Sequence, residues 1–403
     1  MSIGFGEALT VLGGLLLGAS ALSGLTRRTV LSTAVLALVA GVALGIAGVL
    51  APSPGDHGLV LLVELVLLVT LFADGLIVEQ SLLRSHWNPA ARALVLAMPL
   101  NAAMLAVAAK VLFGQLGWLE AFLLAFALSP TDPVVTSSVV SSAKVPPAVR
   151  HTLNLESGLN DGLALPFVLF FLAFASGSED SAVGSAGQLA VESVVGIGLG
   201  GVLALAAGAL LGRLPEWGLA DRYEGLYALG LGLLAFGVAD LAHGNGLIAA
   251  FVAGIVFAVT RHEIPEIFHQ FNENLSSVLQ LIAFVVFGAL VSATAFEHGV
   301  LRLAAFIVFA LLVARPVSVL VSLTGVRFER PEKAFVAWFG PKGIASMLFA
   351  LFILNSGVEH RALVFDIAAF TILASIVAHG LTDTLASRWI ERRLRAGAEA
   401  AAD

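Results

Sequence analysis

Two aspartates in apolar surroundings are the residues of this chain best placed to do chemistry. Asp132 lies in Ser129-Pro130-Thr131-Asp132-Pro133, and Asp161 in Glu156-Ser157-Gly158-Leu159-Asn160-Asp161; both stretches interrupt long apolar segments. An ionisable group at the centre of a bilayer costs roughly 2.5–3.5 kcal/mol on insertion scales, so residues of this kind mark ion pathways and proton relays. Proline beside a charge frees backbone carbonyls that can replace a cation's water. Those carbonyls and the Thr131 hydroxyl are hard oxygen ligands, suited to Na⁺ or Li⁺ and poorly suited to soft metals.

On a helix Ser157 and Asp161 stand four residues apart and share a face, with Glu156 and Asn160 on the neighbouring one. The pattern predicts a cation site in which Asp161 is the exchangeable carboxylate and Thr136, Ser137 and Ser138 continue the polar lining. Two blander readings compete. The stretch at Glu156 could be a loop, but a span starting at Leu163 would hold about 14 residues, too few to cross. Asp132 could simply cap a helix after a proline kink. Asp74, near the inner end of its segment, reads as an accessory or interfacial carboxylate, and Glu64, Glu192, Asp240 and Asp366 receive no role.

Such residues need a membrane scaffold, and the composition supplies one. Of 403 residues, 59% are hydrophobic and 12% charged, against about 45–50% and about 25% in soluble domains. At about 20 residues per span, the sequence divides into thirteen segments, at about 3–25, 29–50, 57–78, 91–113, 116–141, 151–176, 187–212, 223–242, 245–260, 275–294, 299–323, 333–355 and 363–386. The expected fold is all-α and polytopic. The opening residues lack a basic stretch and read as a retained first span. No soluble domain is expected, only a short basic tail at about 388–403. The net charge of −7 says little about partners.

Basic residues test the division. Sixteen fall on one side, from Arg27 and Arg28 through Arg84, Arg92, Lys144, Arg150, Arg213, Arg222, Arg261, Arg327, Arg330 and Lys333 to the four of the tail. Lys110, Arg302 and Arg361 fall on the other. The positive-inside rule then places the N-terminus outside and the C-terminus in the cytoplasm. Arg315 and Lys342 remain, both inside spans, as natural partners for buried carboxylates.

Segment 5 is broken at Pro130 and Pro133, and segment 12 at Gly340-Pro341-Lys342-Gly343. If about 3–176 and 223–386 are two repeats joined by a linking span at about 187–212, both breaks fall in the fifth member. Six spans plus one linker would invert the second repeat, and matched interrupted segments point to a transporter's substrate site. Lys342 beside its break could neutralise facing half-helix C-termini. The chain contains no cysteine, which excludes disulfides, thiolate metal sites and a cysteine nucleophile. It shows no phosphate-binding loop, dinucleotide fingerprint or zinc-protease histidine pair.

Ser-Pro-Thr-Asp-Pro at 129–133, followed by Asn-x-Glu-Ser-Gly-x-Asn-Asp-Gly at Asn154 to Gly162, resembles the monovalent cation/proton antiporter superfamily over essentially the whole chain. The Asn160-Asp161 pair is similar to its electroneutral sodium/proton exchanger branch, of NhaP type. The resemblance implies crossed broken helices in inverted repeats, a dimer-forming domain beside a mobile core, and a homodimer in a bacterial-type plasma membrane. It makes Asp161 the shared Na⁺ and H⁺ ligand, with Asp132, Thr131 and Ser157 completing the shell. It also pairs Glu156 with Arg315 and gives Asn160 a structural role. The family's Gly-x-Arg-Gly is Gly340-Pro341-Lys342-Gly343 here, so the fork geometry of arginine is lost, and Asp74 is a weaker match. The function expected is Na⁺/H⁺ antiport, with no cofactor, no enzymatic activity and no nucleic-acid partner. K⁺/H⁺ exchange on the same scaffold is the alternative, and an intramembrane aspartyl hydrolase or a channel the remote ones.

Overall fold

Hydrocarbon offers no hydrogen bonds, so an apolar segment must satisfy its own backbone, and a helix does so within one segment. The structure, a computed structural model, describes residues 33–50, 56–76, 87–132, 144–177, 179–213, 224–260, 266–291 and 299–402, with positions 10, 13, 14, 17, 18 and 52. Almost all of the expected first segment, and Pro133, Thr136, Ser137 and Ser138, lie outside the described residues. Among the described residues the only regular structure is helical.

In chain order the helices are α1 (Thr33–Ile46), α2 (His57–Leu76), α3 (Trp87–Leu112), α4 (Trp118–Ala127), α5 (Pro147–Ser176), α6 (Glu179–Arg213), α7 (Glu224–Leu241), α8 (Gly246–Thr260), α9 (Glu266–Leu290), α10 (Val300–Ser322), α11 (Arg330–Trp338), α12 (Ile344–Leu354) and α13 (Arg361–Ala402). Six of them, α2, α3, α5, α10, much of α6 and the first part of α13, are long and apolar enough to cross a bilayer. The chain is an integral membrane protein. Exposed Val95, Val107, Val111, Val194 and Val202 lie on faces a soluble protein would bury and a lipid-facing one presents.

Three stretches test the expected boundaries. The stretch at Glu156 is helix and not loop, because α5 runs unbroken from Pro147 past Pro166 to Ser176. Segments 8 and 9 are separate helices. Between α7 and α8 the chain turns through His243 at φ 56°, and the Asn245 side chain accepts the Ile248 N–H at 2.9 Å, an N-cap that starts a new helix. The basic tail is helical, since α13 continues to Ala402.

Helices cross where small residues let backbones meet, as expected in lipid. A Cβ on Gly41 of α1 would strike the Val285 backbone of α9, and one on Gly288 of α9 the Leu38 carbonyl of α1. Gly75 of α2 and Gly254 of α8 form a similar reciprocal contact.

The helices α4 and α11 begin alike. Each carries glutamate at its third position, folded back on the N-cap N–H: Glu120 accepts from Gly117 at 2.7 Å, and Glu332 from Glu329 at 2.8 Å. This reciprocal cap satisfies an otherwise orphaned donor. Glu120 also accepts the His360 backbone N–H at 3.0 Å, tying the start of α4 to the loop after α12.

Candidate ion-binding site

Proline ends both short helices. After α4 the chain leaves the helix at Leu128 and runs through Pro130, Thr131 and Asp132 without helical hydrogen bonds. After α11 it does the same through Gly340, Pro341 and Lys342, resuming as α12 at Ile344. The two breaks cross and bond to each other. The Asp132 N–H donates to the Pro341 carbonyl at 2.9 Å, and the Ile344 N–H donates to Asp132 Oδ2 at 3.2 Å. Asp132 therefore places a carboxylate on the positive end of α12. Gly343 is required there, because a Cβ would overlap the Asp132 side chain.

Helix α5 passes beside the crossing and contributes four polar residues on consecutive turns. Asn160 Nδ2 donates to Thr131 Oγ1 at 2.6 Å, and the Thr131 and Ser157 hydroxyl oxygens lie 3.2 Å apart. A hydroxyl oxygen has two lone pairs. One on Thr131 is taken by Asn160, and the other is open to a cation when Thr131 donates its hydrogen to Ser157.

Asp161 is 4% exposed, and its Oδ1 has no hydrogen-bond partner among the described residues. The Asp74 carboxyl of α2 stands beside it. Asp74 is thus brought against Asp161 rather than left at the membrane interface. Its sequence position near the end of α2 could not show that helix packing turns it inward.

Glu156 and Arg315 form a buried fork, with Nη1 to Oε1 at 2.8 Å and Nη2 to Oε2 at 3.2 Å. The Arg315 Nη2 also donates to the Phe339 carbonyl at 2.7 Å, and Gly340 leaves the room its guanidinium needs. The pair neutralises itself and joins α5, α10 and the second break. A π-helical turn at Ala310–Ala314 directly precedes Arg315; such turns recur at functional sites.

Lys342 differs from expectation. The C-terminal carbonyls of α11 are met by other donors, Phe339 by Arg315 and Trp338 by His379 Nε2 at 2.9 Å. Lys342 gives its backbone N–H to Ser375 Oγ at 2.9 Å, while its Nζ, 2% exposed as a residue, has no hydrogen-bond partner among the described residues. It makes no hydrogen bond to the end of α11, whose Phe339 and Trp338 carbonyls face Arg315 and His379. His379, which carried no sequence signal of metal-ligand spacing, emerges as a holder of the second break.

A profile of the family described as "Sodium/hydrogen exchanger, transmembrane" matches residues 14–388. Among curated relatives, the K(+)/H(+) antiporter NhaP of Alkalimonas amylolytica is 24% identical over 336 residues, covering 81% of this chain and 57% of its own length. The Na(+)/H(+) antiporter of Schizosaccharomyces pombe is 26% identical over 372 residues, covering 81% of this chain and 78% of its own length. The sodium proton antiporter MjNhaP1 of Methanocaldococcus jannaschii superimposes with a TM-score of 0.75 at 19% identity, covering 95% of this chain and 97% of its own. That similarity establishes the fold. The chain spans 57% to 61% of the length of the first bacterial relatives.

Proposed function

Because the chain belongs to the transmembrane sodium/hydrogen exchanger family, we propose that it exchanges Na⁺ or Li⁺ for H⁺ across a membrane, one for one, by alternating access with cation and proton competing at Asp161. The observation that carries this reading is a buried carboxyl with an oxygen unpartnered among the described residues, set against a second carboxyl and beside the crossing of two broken helices.

The chemistry follows from charge. Two carboxylates set side by side in a buried site repel, so on this reading Asp161 and Asp74 hold one proton between them. A monovalent cation taking that proton's place leaves the local charge unchanged. Asp161, Asp132, Thr131 Oγ1 and Ser157 Oγ supply its oxygens. Either loaded form can move through the low-dielectric interior, whereas the empty site carries an uncompensated buried charge and stays put. One charge in each direction moves no net charge. A net charge would feel about 2.3 kcal/mol per 100 mV, and this cycle feels none. Asn160, Glu156 with Arg315, and Lys342 set geometry and compensate charge.

The remaining parts of the proposal are a plasma-membrane location, an outer N-terminus and cytoplasmic C-terminus from the basic loops, assembly as a homodimer, and two inverted repeats in one transporter domain. A second reading, K⁺/H⁺ exchange, is favoured by the name of the Alkalimonas relative. The Schizosaccharomyces name favours Na⁺.

The test is proton movement in proteoliposomes holding a pH gradient, on adding Na⁺, Li⁺ or K⁺, for wild type and Asp161→Asn. Na⁺ or Li⁺ collapsing the gradient in wild type alone, at a rate indifferent to a clamped membrane potential, supports the reading. Response to K⁺ alone replaces the substrate. No response to any cation from folded protein defeats it.

A further inference from the structure

A small cleft of about 10 Å³, the room of about one water, lies among α3, α5 and α10. Its apolar lining, Ala93, Leu94 and Ala97 of α3 and Val319 of α10, is close in sequence to Arg92 and Arg327, so the cleft belongs to the side with the basic loops. Its polar lining is Asn101, Ser129, Glu156, Asn160, Arg315 and Ser318.

Most of these groups are already engaged. Ser129 and Ser318 donate to the carbonyls of Ala125 and Ala314, and Glu156 is held by Arg315. Three groups remain, the Nε–H of Arg315 and two acceptors, Oδ1 of Asn160 and Oδ1 of Asn101, none with a hydrogen-bond partner among the described residues. The two asparagines are 2% and 6% exposed. Two buried amide oxygens on one cleft call for a donor with two hydrogens, and a water fits where two or more polar groups converge.

The orientation of Asn160 matters to the ion. With Nδ2 toward Thr131, it consumes one Thr131 lone pair and leaves the hydroxyl hydrogen for Ser157. Rotated by half a turn, its oxygen would instead take that hydrogen. We propose that Asn101 is a positioning residue of ion exchange: one water donating to Oδ1 of both asparagines locks Asn160 in the orientation that presents Thr131 to the cation. Asn101 touches neither cation nor proton, and nothing in the sequence around it marks it.

The inference rests on the exchanger reading, and its test separates the two. Asn101→Val and Asn101→Thr are nearly equal in shape and differ by one hydroxyl. The readouts are the apparent KM and maximal rate for the cation in proteoliposomes, and the cation-induced rise in melting temperature in detergent, which needs no transport. Asn101→Val is expected to raise the apparent KM about fivefold, the effect of one lost hydrogen bond, with the maximal rate kept and the melting rise reduced. Asn101→Thr restores both, and Asn101→Val adds nothing on an Asn160→Ala background. Val and Thr variants that match each other, or a Val effect that persists without Asn160, overturn the inference. If Asn101→Val fails to fold, Asn101→Ala against Asn101→Ser gives the same contrast. A wild type that moves no protons defeats the exchanger reading, while the melting contrast still decides this one.

Discussion

At the residue scale, charge compensation ranks the side chains. Arg315 holds Glu156 through two bonds and Phe339 through a third. Removing one partner of such a pair leaves an uncompensated buried charge, at a cost of about 3–5 kcal/mol. Arg315→Leu is therefore expected to lower the melting temperature sharply in detergent, and Arg315→Leu with Glu156→Leu to recover much of the loss. A double variant as unstable as the single one would mean that the Phe339 contact dominates. The residues at 129–133 and 154–162 were legible because each cluster is local, with its members on one turn or one helix face. Asp74 was legible only as an accessory or interfacial carboxylate, and Asn101 and His379 not at all, since their partners come from other helices and a lone polar residue in an apolar run carries no direction.

At the element scale, the crossing depends on two glycines and a histidine. Gly343→Ala places a methyl group against the Asp132 side chain. Helical content by circular dichroism should be kept, because α11 and α12 form on either side of the break, while cation-dependent stabilisation is lost. His379 satisfies the Trp338 carbonyl at the end of α11, and leaving a buried acceptor unmet costs about 1–3 kcal/mol. His379→Leu is accordingly expected to melt earlier than wild type, whereas His379→Gln, which keeps a donor, recovers part of the difference. Proline made the breaks legible, since it ends a helix wherever it falls in the interior. Helix ends were less so. The helix α6 starts at Glu179 and α13 runs to Ala402, through polar and Ala-rich stretches. Apolarity marks where a helix is in lipid, and α13 extends beyond it on Ala, Glu and Arg, good helix formers.

At the scale of the whole molecule, the cycle is defined by competition. On the proposed mechanism a cation and a single proton exclude each other at Asp161, so lowering pH through the range where the site protonates should raise the cation's apparent KM, by about tenfold per pH unit in the limit, without lowering the maximal rate at saturating cation. Proteoliposome rates across a pH series read this directly; a falling maximal rate with constant KM would indicate a proton acting elsewhere. The all-helical membrane class was legible from composition alone. The pairing of α1 with α9 and of α2 with α8 was not, because helices apolar on every face give no sign of which face meets a neighbour.

The matching caps of α4 and α11, each a glutamate turned back on its own helix start before a proline break, bear on ancestry. A half-length protein that paired with an inverted copy of itself would carry the same residue at both breaks, two acids or two bases facing each other. Joining the copies in one gene removes that constraint. Asp132 at one break and Lys342 at the other is an asymmetry that two identical halves could not carry.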